Sequence, residues 1–136
     1  MFFKKKNKNK SEDLTKVAAL MIHAANIDES YTEHEEKIIK KMLSKINSNN
    51  ENIDEVIKKA KEIEKNTNQI LDFTKEVKNM DEQNKIEIIE TLWRIIYSNK
   101  EADIYETNLM RRLGGLLYVD NKLMGNIKQK IKKEIL

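Results

Sequence analysis

Apolar residues recur every three or four positions in seven successive segments of this chain, and no proline interrupts any of them. That spacing lines up one face of an α-helix and conflicts with the strict alternation of a half-buried strand. The first segment carries Leu14, Val17, Ala18, Met21, Ala24 and Ala25, with Ser11 as its expected N-cap and an end near Asn26. Thr32 followed by Glu35 is a capping-box pattern opening a second, with Ile38, Ile39, Met42 and Ile46 along one side. Ile53, Val56, Ile57, Ala60 and Ile63 mark a third, and Ile70, Leu71, Phe73, Thr74 and Val77 a shorter fourth. Asp81 caps a fifth, whose apolar set (Ile86, Ile88, Ile89, Leu92, Trp93, Ile95, Ile96) is wider than one stripe and is expected at the centre of the bundle. Asp103 with Glu106, and then Asp120 flanked by Val119 and Met124, open the sixth and seventh.

At 136 residues the chain has the size of one domain, and with only three glycines it lacks the usual turn punctuation. The expected fold is all-α, a compact bundle of about seven helices over residues 11–136. Residues 1–10 read as a disordered basic tail, since they show no periodicity. Lys4, Lys5, Lys6, Lys8 and Lys10 supply five of the 26 basic residues, so the formal charge of +3 hides a remainder of 21 basic against 23 acidic residues. The absence of cysteine excludes disulfide frameworks, thiolate metal sites and cysteine nucleophiles, and with no long apolar run it points to the cytoplasm.

Offsetting the sequence by 71 residues aligns Asp28-Glu29-Ser30-Tyr31-Thr32-Glu33-His34-Glu35 with Asn99-Lys100-Glu101-Ala102-Asp103-Ile104-Tyr105-Glu106. In each stretch a polar residue is followed four positions later by a cap, then by a glutamate at the third helical position. Paired aliphatics (Ile38-Ile39, Leu109-Met110) and paired cations (Lys40-Lys41, Arg111-Arg112) come next. Two pseudo-repeated helix-loop-helix units are the expectation. In these residues, and in Leu92 through Asn99, the chain resembles the TerB-like family, named for tellurite-resistance operons, over roughly residues 14–133. Neither loop carries that family's usual glycine, Glu29 and Lys100 standing there, and Asn99 stands where the second aspartate falls. The resemblance implies a fold of about seven helices, a stress-response or metal-related setting, and no established catalysis. A similar domain precedes the J-domain of some membrane-anchored co-chaperones, which suits an interaction module.

Acids are dense at the two helix starts. A loop aspartate and a glutamate one turn into the next helix offer oxygen ligands for Ca²⁺ or Mg²⁺, so Asp28, Glu35, Asn99 and Glu106 form the candidate metal set. Against that reading, a glutamate at the third position completes a capping box and acids in the first turn answer the helix dipole, so capping is the stronger expectation. No nucleophile–base arrangement is identifiable around His23 or His34, and a non-catalytic protein follows. His34 is expected in solvent, His23 half-buried with a hydrogen bond, Trp93 in the core, and Gly114-Gly115 at a close helix contact or a helix end. The lysines at 128, 130, 132 and 133 read as a solvated face, and with no binding motif nucleic acid is not an expected partner. A protein partner is expected. Phe2, Phe3 and the five tail lysines add a second expectation, peripheral contact with an anionic membrane at its inner face.

Overall fold

The computed structural model describes residues 2–26, 32–47, 50–66, 71–98 and 104–135. They form seven helices with no strand among them: α1 (Phe2–Ala25), α2 (Glu33–Ile46), α3 (Ile53–Asn66), α4 (Leu71–Lys78), α5 (Glu82–Tyr97), α6 (Ile104–Leu116) and α7 (Asn121–Ile135). The all-α expectation and its seven helices are met. One boundary is corrected: α1 begins at Phe2, so Ser11 lies inside a helix and does not cap it. Neither proline nor glycine occurs between Phe2 and Ala25, and lysine is a good helix former, so nothing local stops the helix at Ser11.

Each described connection is closed by side chains that the sequence places there. Thr32 caps α2, and Asp81 caps α5 by accepting the Asn84 N–H at 2.8 Å. Between α2 and α3, the Asn47 side-chain amide donates to the Glu51 carbonyl at 2.8 Å while its oxygen accepts the Glu51 N–H at 3.0 Å. That reciprocal pair imitates two backbone groups and folds the chain back, with Asn50 in the left-handed region at φ 56°. Asn52 then opens α3 by accepting from the Glu55 N–H. At the end of α6 the Val119 N–H bonds to the Gly114 carbonyl and the Tyr118 N–H to the Gly115 carbonyl, the paired bonds of a Schellman ending. The left-handed residue there, at φ 57°, is Tyr118 rather than glycine. Asp120 next accepts the Lys122 N–H at 3.0 Å and starts α7.

Two helices share the centre. α5 is buried from Ile88 to Tyr97 except at Arg94, as its wide apolar set requires. α1 is buried just as deeply from Leu14 to Ala25 except at Lys16 and His23, because Ala19, Leu20 and Ile22 are enclosed along with the expected stripe. It packs against α2, α3, α4 and α5, whereas α5 packs against α1, α2 and α7. The core is therefore not organised on α5 alone. Since α1 has no polar face between Leu14 and Ile22 beyond Thr15 and Lys16, enclosure from all sides is what its composition demands. α2 and α6 begin 71 residues apart, at Glu33 and Ile104. The loops that carry the expected repeat, 27–31 and 99–103, lie outside the described residues, as does the expected start of α4 at Ile70.

Candidate functional site

The acids at the start of α2 divide between two tasks. Glu35, only 2% exposed, turns its Oε1 back to accept the Thr32 N–H at 2.8 Å and the Thr32 hydroxyl at 3.1 Å. The Glu35 N–H in turn donates to the Thr32 hydroxyl at 3.2 Å, completing the box. Glu36 faces α3, 2.8 Å from the Lys61 ammonium and 3.6 Å from Lys40, and Lys40 also reaches Asp54 at 3.0 Å. The hydrogen bond to Asp54, reinforced by the negative charge of Glu36, holds the Lys40 ammonium above its ordinary pKa. Cationic partners thus neutralise these acids across the α2–α3 corner. Glu33 and His34 stand exposed, the latter as expected.

The candidate metal set is divided by position. Asp28 and Asn99 lie outside the described residues, and so does the side chain of Glu106. Glu35 is the one member whose side chain is described, and one of its oxygens already accepts two protein donors. Those two bonds give Oε1 of Glu35 a helix-capping role. Among the described residues no three ligand-type side chains converge.

His23 is half-buried beside Phe73, with its Nδ1 3.4 Å from Glu64 of α3, and Asn26 donates to the same carboxylate at 3.4 Å. A comparable link joins α5 to α7. The Arg94 guanidinium donates to both Glu134 oxygens, at 2.8 and 3.2 Å, and Glu90, enclosed within α5, accepts from Lys130. Hydrogen bonding to Glu134 raises the Arg94 pKa, and the same bond lowers that of Glu134. Sequence reasoning missed this quartet, having placed Lys130 on a solvated face. The available signal was Glu90 within an apolar run, one turn before Arg94.

Surface clefts lined by described residues accompany these links. One of about 340 Å³ lies between α2, α5 and α7 and contains Lys41, Lys45, Arg94, Glu87 and Glu134. A second of about 260 Å³, between α1 and α3, holds Lys61, Lys65 and Glu64. The third, about 190 Å³, is bounded by Trp93, α6 and the first turns of α7. There Gly114 meets Met124 so closely that an added Cβ would lie 3.3 Å from its Cγ, which is the close helix contact expected of this glycine.

A family model described as Tellurite resistance protein TerB matches residues 14–129, from Leu14 within α1 to the middle of α7. The chain belongs to the TerB family. The matched TerB segment contains all of the buried centre on α1 and α5 as well as the capping box of α2. Comparisons with curated proteins and with solved structures returned no match. Among the described residues of this TerB-family chain, no helix is long and apolar enough to cross a membrane.

Proposed function

We propose that this member of the TerB family is a non-catalytic module of the tellurite-resistance and stress-response type that acts by associating with a protein partner. Family membership supplies the setting. The observation that supports association over ion binding is the engagement of the Glu35 carboxylate with Thr32, which gives the sharpest acidic feature of the sequence a structural task. The alternative is a divalent-cation site in which Asp28 and Glu35 share an ion.

A titration separates the two. Under the association reading, millimolar Ca²⁺, Mg²⁺ or Mn²⁺ leaves the melting temperature unchanged and produces no localised amide shifts around residues 28–36. A cation site would raise the melting temperature by mass action, and both Asp28→Asn and Glu35→Gln would abolish that increment while Thr32→Ala preserved it. That outcome would replace the association reading.

A further inference from the structure

The clefts differ in how their charge is balanced. In the α2–α5–α7 cleft, Glu87 and Glu134 answer the lysines and Arg94, and in the α1–α3 cleft Glu64 stands among Lys61 and Lys65. The third cleft is lined by Trp93, Met110, Met124 and two glycines together with Asn121 and two cations, Arg111 and Lys128, and none of its described lining residues is acidic. In a chain whose surface is dense with glutamate, a concave site with two positive charges and no carboxylate among its described lining residues favours anions.

Its walls narrow the ligand further. The Lys128 ammonium lies over the Trp93 ring, 5.4 Å from the centroid, and the opposite character is supplied by the thioether chains of Met110 and Met124. Trp93 is itself stacked against Tyr97, and its indole N–H is buried with no acceptor among the described residues. Gly125, on the cleft wall, has nothing within 4 Å of where a Cβ would stand, so packing inside the fold does not require glycine there. Helix interiors disfavour glycine, and an absent side chain at that point keeps the cleft open.

We infer that this cleft is a binding site for a small organic anion, one apolar group carrying a carboxylate or phosphate. The apolar part rests against Trp93, Met110 and Met124, and Arg111 and Lys128 hold the charge. A volume of about 190 Å³ is below that of most drug-sized sites, so the ligand is a single such unit, whether a free metabolite or the end of a peptide. The inference is independent of the association reading above.

Trp93 is the chain's one tryptophan, so its indole resonance in a ¹⁵N spectrum reports the site without assignment. N-acetylphenylalanine should shift it saturably at about millimolar concentration, and the neutral N-acetylphenylalaninamide should not. Arg111→Ala should weaken binding by about tenfold, as expected on loss of one charge-assisted hydrogen bond. Gly125→Leu fills the open space and should abolish the response while the circular dichroism and melting temperature show an intact fold. Ala-Ala-Phe binding at least as tightly as N-acetylphenylalanine identifies a peptide end as the source. Weaker binding of the tripeptide identifies a free acid. No saturable shift, an equal response to the amide, or a response that survives Gly125→Leu would overturn the inference.

Discussion

The pairs α1/α3 and α5/α7 solve one packing problem with side chains of different size. Ala18, Ala24 and Ala25 of α1 and Ile89, Ile95 and Ile96 of α5 lie 71 residues apart in the sequence, and all six are buried. Each helix also carries a polar link to its neighbour, His23 of α1 reaching Glu64 of α3 and Arg94 of α5 reaching Glu134 of α7. α1 is crowded by four neighbouring helices and uses alanine to let them approach, whereas α5 fills a wider space with branched chains. At these three positions the helix with more neighbours carries the smaller side chain.

Opposite mutations should therefore damage the two helices. The largest effect is expected from Leu92→Ala on α5, which removes a fully buried side chain and should cost about 3 kcal/mol in urea unfolding. Ala24→Leu on α1 should cost about 2 kcal/mol by overpacking, with Ala24→Gly milder. If Ala24→Leu were neutral, the claim that crowding selects alanine would fail.

Smaller effects sharpen the contrast at the surface. Thr32→Ala and Glu35→Ala, which open the cap of α2, should each cost about 1 kcal/mol, and the amide-exchange losses should concentrate in α2 rather than in α5 and α7. Glu134→Gln is expected to do least, below about 1 kcal/mol at neutral pH, since the Glu134 side chain is about half exposed to solvent. Its hydrogen bond to Arg94 holds the carboxyl below its ordinary value of 4.5. A folded-state pKa below the unfolded one adds stability that is present above about 4.5 and lost as pH falls through the lower value. The gap between wild type and Glu134→Gln should close in strongly acidic urea melts.

Most helix limits were legible because the signals are local. The Thr32–Glu35 box, the Asp81 cap and the glycine contact at Gly114 each depend on residues within a few positions of one another, or on a residue type with one steric consequence. The centrality of α1 was less legible. Counting a single stripe left out Ala19, Leu20 and Ile22, and only tertiary packing shows that they too are covered. The Glu90–Lys130 and Arg94–Glu134 pairs span 40 residues, so periodicity does not reveal them. The charge imbalance of the small cleft was equally hidden, since Arg111 and Lys128 read separately as two ordinary surface cations until α6 and α7 bring them together.

The enclosure of α1 also governs how the protein is made. Translation delivers α1 before any helix that covers it, and α5, one of its walls, is complete only at Tyr97. At about 5–20 residues per second the intervening 72 residues take roughly 4–14 s, before the further delay of passage through the ribosome. Throughout that interval Leu14, Val17, Leu20, Met21 and Ile22 have no finished interior to enter. The nascent chain thus carries an apolar helix for several seconds before the helices that cover it are complete.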